Sequence, residues 1–321
     1  MALRSTRGLP ASQAGPVNFA PEVGCVPFPG YKLLRLRGRG GFATVWEATT
    51  PAGELVALKF MSSQNGHATS REVRSLQAIH ALEHPNLLRT RQVWSMHGYI
   101  VIAMDLADAS LHDLMMLYMD EFKKRIEPEK LCLYMSQTAR ALDFLNARQH
   151  TVDGRTVGYQ HGDIKPGNVL LVGNKALLAD YGLATPTSNT TTPCPRHGTL
   201  EYAAPEVFQG HLTESSDQFS LAVMYHLMRT AAFPYPAPPS AETVKRGYQR
   251  PLPDLSLLPV KEQAVVQRAL SPIPQDRFRN CTDFVNALLE SHKLRVGKQN
   301  GHTTILPAID QRVEVKALTV K

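Results

Sequence analysis

His161-Gly162-Asp163-Ile164-Lys165-Pro166-Gly167-Asn168, followed twelve residues after Asn168 by Asp180-Tyr181-Gly182, decides how this chain of 321 residues is read. An aspartate can orient a hydroxyl. A lysine two residues on can neutralise a migrating phosphoryl group. Asn168 and Asp180 supply hard oxygen ligands for a divalent cation. Taken alone, an Asp-x-Lys triplet reads equally well as a solvated turn, so the surrounding chain has to decide.

Upstream, residues 1–28 are rich in Pro, Gly, Ala and Ser without periodicity and read as a mobile leader, placed at 1–30 in the domain map. Strands are expected at Tyr31–Leu36, Thr44–Thr50, Glu54–Met61 and over the apolar run Tyr99–Met104. Gly38-Arg39-Gly40-Gly41-Phe42-Ala43 joins the first two as a hairpin. Glycines there let a backbone approach phosphate oxygens. Their place between strands, not before a helix, separates the motif from dinucleotide-binding and P-loop sequences. On the third strand Ala57 and Lys59 share a face. A buried ammonium needs an acidic partner. Glu72 is the best placed, on an expected helix Thr69–Leu82 that also carries Leu76 one turn on and ends before Pro85.

Beyond residue 110 the pattern turns helical, with expected helices at Lys130–Ala147, Ser216–Thr230, Pro259–Leu270 and Thr282–Leu294. Val169–Leu171 and Ala176–Leu178 read as short strands around Gly173-Asn174. Residues 185–197, almost without apolar side chains, read as an exposed loop. Strands first and helices later imply an α+β chain of two lobes with different character.

In this order the segments resemble the protein kinase family, Ser/Thr type, in a bacterial style with His-Gly-Asp in the catalytic loop. The resemblance covers about residues 31–290, roughly four fifths of the chain. It implies a bilobal kinase-like fold: a small β-rich N-lobe with one main helix at about 31–106, a larger, mostly helical C-lobe at about 107–290, and a flexible basic tail at 291–321. It implies ATP with Mg²⁺, or Mn²⁺ in its place. Gly38, Arg39, Gly40, Gly41, Phe42, Ala43 and Val45 would cover the nucleotide, with Ala43 where the family has a third glycine. Ala57, Met104, Asp105, Ala107 and Leu170 would line the adenine site, and Lys59, paired with Glu72, would reach the phosphates. Asp163 is the implied catalytic base, Lys165 the γ-phosphate contact, and Asn168 and Asp180 the metal ligands. Thr199 would bond Asp163 and Lys165, an arrangement of Ser/Thr rather than Tyr kinases. Asp217 would anchor the catalytic loop, Glu206 would pair with Arg277, and His161 is given a packing role. Two positions depart from the pattern. Gly162 stands where most members carry an arginine that reads a loop phosphate, and Tyr181 stands where Phe is common, with a hydroxyl that needs a partner. Gly167 gives no support for an Arg-directed substrate preference.

The implied activity is transfer of the γ-phosphoryl group to Ser or Thr of proteins, the chain itself included. The alternatives are a pseudokinase scaffold, a small-molecule kinase of the same fold and a nucleic-acid binder. The net charge of +7 admits nucleic acid, but most of the excess lies in residues 291–321 and no dense basic block occurs. The longest apolar runs are too short to span a bilayer, and no apolar block follows Arg4 and Arg7. Four scattered cysteines without a CxxC pair read as reduced thiols in a cytoplasmic protein.

Overall fold

In Leu55–Ser62 the residues Val56, Leu58 and Phe60 alternate with Ala57 and Lys59, so a strand buries one set on each face. The computed structural model, which describes residues 19–40, 43–62, 76, 79–96, 98–152, 154–181, 184–187, 191–193, 199–237, 247–299 and 302–307, places this strand at the centre of an antiparallel sheet. The strands are β1 (Lys32–Arg39), β2 (Ala43–Thr49), β3 (Leu55–Ser62), β4 (Thr90–Met96) and β5 (Tyr99–Asp105), in the order β1-β2-β3-β5-β4. One face packs Val56, Leu58 and Phe60 with Leu33, Trp46, Ala48, Val101 and Ala103. The other gathers Leu76, Val93, Ile100 and Ile102, with Met61 and Met104 against them.

The expected leader reaches less far than its composition suggests. Phe19, Cys25 and Phe28 pack on the first of these faces, and Phe28 stacks on Trp94 at 4.3 Å between ring centroids. The Gly24 N–H donates to the Leu33 carbonyl and the Leu33 N–H to the Cys25 carbonyl, each at 2.8 Å. Apolar side chains spaced between prolines and glycines form no periodic pattern, yet they cover a sheet that would otherwise face water. The part of the leader before residue 19 lies outside the described residues, as does Glu72; of the expected helix at Thr69–Leu82, Leu76, Ile79 and His80 are described and helical.

The chain divides into two compact units, Met1–Gln77 with Thr90–Leu106, and Ala78–Arg89 with Ala107–Lys321. The second includes Ala78–Arg89 because Leu87 bridges to Leu178, and the Leu88 and Leu178 backbones exchange bonds with Leu178 and Asn86. Its elements are β6 (Ala109–Ser110), α1 (Leu111–Asp120), α2 (Pro128–Asn146), β7 (His150–Val152), β8 (Arg155–Gln160), β9 (Val169–Val172), β10 (Lys175–Leu178), β11 (Thr185–Thr187), β12 (Thr191–Pro193), α3 (Pro205–Phe208), β13 (His211–Thr213), α4 (Ser216–Thr230), α5 (Val260–Ala269), α6 (Cys281–Ser291), β14 (Leu294–Gln299) and β15 (His302–Pro307). A β-rich unit and a mostly helical one make the α+β class of two unlike units that the sequence implies.

Local chemistry explains the helix ends. Ser110 and Asp113 form a reciprocal capping box at α1. Pro128 opens α2, where its missing N–H costs nothing. Asn280 caps α6, and Asp143 of α2 takes the Cys281 and Thr282 N–H groups at 2.8 and 2.9 Å, so one carboxylate ties two helices. Gly158 of β8 passes so close to the end of α2 that a Cβ would meet the Asn146 carbonyl oxygen at 2.3 Å.

Two expectations are corrected here. The expected exposed loop at 185–197 carries two short strands, with β11 pairing to β8 and β12 to β13. Backbone pairing needs no apolar side chains, so composition does not reveal it. The expected tail after residue 290 begins with the hairpin β14–β15, whose Leu294, Val296 and Ile305 pack on the C-terminal core. Residues 308–321 lie outside the described residues.

The pair Glu206–Arg277 closes this unit. It is buried and bidentate, with both bonds at 2.8 Å, and the Ser216 hydroxyl donates to the same carboxylate at 2.8 Å. Burial pushes the Glu206 carboxyl up, but the Arg277 bonds and charge outweigh it and hold the group below the usual carboxylate range. Removing one partner strands the other, so Arg277→Ala is expected to lower stability by about 3–5 kcal/mol in urea unfolding. A loss under about 1 kcal/mol contradicts a buried pair. The depressed value also sets the sign with pH. The pair's stabilisation is complete above the unfolded carboxylate's value of about 4.3, and it drains away as pH falls through the lower folded value.

Candidate active site

β8 ends at Gln160, and the next residues cannot continue the ladder. Gly162 adopts φ +77, a left-handed conformation that glycine enters without strain. The turn is held from α4: Asp217 accepts the His161 N–H at 2.6 Å and the Gly162 N–H at 2.9 Å. His161 is fully buried. Its Nδ1 accepts the Asp163 N–H at 3.2 Å, so Nε2 carries the proton and donates to the Ala179 carbonyl at 2.9 Å. The expected packing role therefore becomes a hydrogen-bonding one, in which the His161 ring links the Asp163 backbone to Ala179, the residue before Asp180.

Asp163 is saturated with donors. Lys165 Nζ donates to Oδ2 at 2.8 Å, and the Thr199 N–H and hydroxyl donate to Oδ1 at 2.9 and 2.8 Å. Asn168 Nδ2 donates to the Asp163 carbonyl at 2.8 Å and to Oδ2 at 3.0 Å. Lys165 also reaches the Thr199 hydroxyl at 2.8 Å. Burial raises the Asp163 pKa, but the Lys165 and Thr199 hydrogen bonds and the Lys165 charge outweigh it, so the group stays below the usual carboxylate range. Asp163 is thus ionised at neutral pH.

Asn168 lies in the short 3₁₀ turn Pro166–Asn168 and is buried. Its amide nitrogen is spent on Asp163, which turns its oxygen to other use. The Asn168 carbonyl accepts the Ala179 N–H at 2.9 Å, and the next residue, Asp180, has φ +62, a strained value for a non-glycine side chain. Two hard oxygen donors suit a divalent cation whose remaining ligands are water and phosphate. No group of three or more His, Cys, Asp or Glu that would form a protein-only cage occurs among the described residues. Tyr181, 1 % exposed, finds the hydroxyl partner it needs: it donates to the Leu88 carbonyl at 2.7 Å, and its ring lies against His80.

The N-terminal unit carries the other group of sequence candidates. Gly38 and Arg39 end β1, opposite Val45 and Thr44, and the Gly40 N–H donates to the Ala43 carbonyl at 2.8 Å to close the hairpin. Gly41 and Phe42 lie outside the described residues. Lys59 sits opposite Val45 on one side and Ile102 on the other, and Ala57 opposite Met104. Asp105 ends β5, its carboxylate held by Arg91 Nε at 2.7 Å. Ala107 and Leu170 belong to the C-terminal unit, Leu170 on β9 between Ser110 and Leu177.

A sequence model described as the protein kinase domain matches residues 31–300. The chain belongs to the protein kinase family. Among its relatives, serine/threonine-protein kinase PknD of Mycobacterium tuberculosis is 30 % identical over 303 residues, covering 90 % of this chain and 43 % of PknD. PknF of the same organism is 27 % identical over 286 residues, covering 83 % of this chain and 57 % of PknF. The chain thus spans about half the length of these kinases. The crystal structure of the M. tuberculosis PknI kinase domain is similar at TM-score 0.61 and 27 % identity, covering 85 % of this chain and 99 % of that one. Members of the family use ATP and a divalent cation. No helix among the described residues is long and apolar enough to cross a membrane.

Sequence spacing gives no sign of Ser220 and Arg250, which hold the backbone after Thr199, because a side chain bonded to a distant carbonyl leaves no periodic trace. The Tyr181 bond allows a direct check. Tyr181→Phe is expected to lower thermal stability by about 1 kcal/mol, the net worth of one hydrogen bond. An unchanged melting temperature indicates that the Leu88 carbonyl finds another donor.

Proposed function

We propose that the protein is a serine/threonine protein kinase. The observation that carries this reading is the constellation of Asp163, Lys165, Asn168 and Thr199, bonded to one another at 2.8–3.0 Å. Bound ATP with its cation supplies the γ-phosphoryl group. Asp163 accepts a hydrogen bond from the attacking hydroxyl and sets its direction. A carboxylate with a lowered pKa is a weak base, which suits a loose transition state in which the hydroxyl proton leaves late. Lys165, held between Asp163 and Thr199, places a positive charge beside the moving phosphoryl group. Lys59 would reach the α- and β-phosphates, and Asn168 and Asp180 would hold the metal, which we take to be Mg²⁺ with Mn²⁺ as a substitute. The hairpin Gly38–Ala43, with Ala57, Met104, Asp105, Ala107 and Leu170, would receive the nucleotide. The acceptors would be Ser and Thr of proteins, this chain included, and the location would be cytoplasmic, where ATP is available and where Cys25, Cys132 and Cys281 remain free thiols.

Incubation with ATP and Mg²⁺ and a casein-type acceptor tests the reading. Label on Ser or Thr supports it; bound nucleotide without transfer, or transfer only to small molecules, overturns it. Asp163→Asn is expected to lower turnover by about 10²–10⁴-fold with nucleotide affinity retained. Turnover kept by that variant removes Asp163 from its role.

Gly162 bears on regulation. Its N–H and that of His161 are anchored on Asp217 without any charged side chain at position 162, and β11 and β12, in the segment that precedes Thr199, already pair with β8 and β13. Phosphatase treatment is therefore expected to change activity by less than about threefold, since no guanidinium at 162 is present to exploit a loop phosphate. A loss of tenfold or more would assign that reading to another basic residue.

A further inference from the structure

The segment from Thr199 to Ala204 presents Thr199 to Asp163, yet it is not a regular element and must be held by side chains. Each of its carbonyls can be accounted for. The Thr199 and Leu200 carbonyls accept the Tyr202 and Ala203 N–H groups at 3.1 and 3.2 Å, and the Ala204 carbonyl accepts the Val207 N–H at 3.0 Å. The Tyr202 carbonyl accepts the Ser220 hydroxyl at 2.9 Å. The two remaining carbonyls, of Glu201 and Ala203, go to one side chain, which also bonds the Leu200 carbonyl a second time. Arg250 donates from Nη2 to the Leu200 and Glu201 carbonyls at 2.7 and 3.1 Å, and from Nε to the Ala203 carbonyl at 3.1 Å.

This guanidinium lies 4.4 Å from the Tyr235 ring centroid, 5.1 Å from that of Phe208 and 5.8 Å from that of Phe219. Aromatic faces and carbonyl dipoles hold the cation in place of a carboxylate. A planar fork can serve three carbonyls at once; a lysine ammonium in the same cage cannot.

We infer that Arg250 is a positioning residue for phosphoryl transfer: by fixing the Leu200, Glu201 and Ala203 carbonyls it holds Thr199 against Asp163 and Lys165. Arg250 does not touch the reacting groups. It acts through the backbone, and Thr199 carries the effect to the Asp163 carboxylate by its N–H and hydroxyl. The inference rests on the kinase reading for its effect on rate, though not for its effect on the loop.

Two measurements on the full chain separate those parts. In Arg250→Met, amide exchange of Tyr202 and Ala203 is expected to quicken by about tenfold or more as the segment loosens. Unchanged exchange overturns the inference whether or not the protein is active. In a phosphotransfer assay the same variant is expected to lose about 100-fold in kcat, the scale of a small misplacement of a catalytic group, with KM for ATP within about twofold of the parent. Arg250→Lys is expected to fall between Met and the parent. Adding Thr199→Val to Arg250→Met is expected to cost less than about threefold more, because both act on one interaction. Losses that multiply, or full kcat in a folded Arg250→Met, overturn the route through Thr199. Gln249→Ala, on an exposed neighbour, serves as the control with parental kcat. Should Arg250→Met fail to fold, Arg250→Lys carries both readouts: parental exchange and kcat in that variant overturn the inference. If the parent transfers no phosphate while exchange quickens as expected, the kinase reading fails and the hold on the loop stands.

Discussion

The C-terminal unit depends on a polar constraint: the buried Asp217 carboxylate that receives the His161 and Gly162 N–H groups. The N–H of the fully buried His161 would otherwise be left unsatisfied, at a cost of about 1–3 kcal/mol. One carboxylate removes that cost and at the same moment sets the direction in which the chain leaves β8. Asp163, Lys165 and Asn168 follow within a few residues, so their positions inherit the geometry of this turn.

Asp217 does not act alone on its helix. Ser216 donates to Glu206, Gln218 exchanges bonds with the 278–280 backbone, and Ser220 donates to the Tyr202 carbonyl. Four polar side chains in the first turns of α4 thus reach four separate segments, while every residue from Ser216 to Met228 is buried. Dispersion and apolar burial hold the helix in the core, but they are tolerant of small shifts. The hydrogen bonds are not, because each has one partner at one distance. This division of labour explains how a helix with little exposed surface fixes the turn before Asp163, the backbone after Thr199 and the Glu206–Arg277 pair together.

Much of the site is legible in the residues. Asp163, Lys165 and Asn168 are spaced to meet, and Thr199 joins them in the structure. The strand pattern of 55–62 puts Ala57 and Lys59 on one face without any knowledge of neighbours. The helix at Ser216–Thr230 is bounded as its sequence suggests. The misreadings share a cause. The leader residues Phe19 to Phe28, the strands β11 and β12 and the hairpin β14–β15 are ordered by contacts distant in sequence, and local composition carries no record of them. Arg250 and Ser220 escape notice for the same reason. His161 is a subtler case: its type is visible, but its buried Nε2 bond to Ala179 is not.

By itself the sequence determined the chemistry: which side chains carry charge, which oxygens can hold a metal, and which runs alternate or repeat at helical spacing. It also determined Gly162, whose missing β-carbon admits the left-handed φ of the turn. The tertiary structure decided how those groups are set. It lowered the pKa of Asp163 by placing Lys165 and Thr199 on its oxygens, gave Tyr181 its Leu88 carbonyl, and made the Glu206–Arg277 pair a buried bidentate one. The physical reason is that hydrogen-bond partners and burial depend on neighbours brought from far along the chain, whereas residue type and period do not.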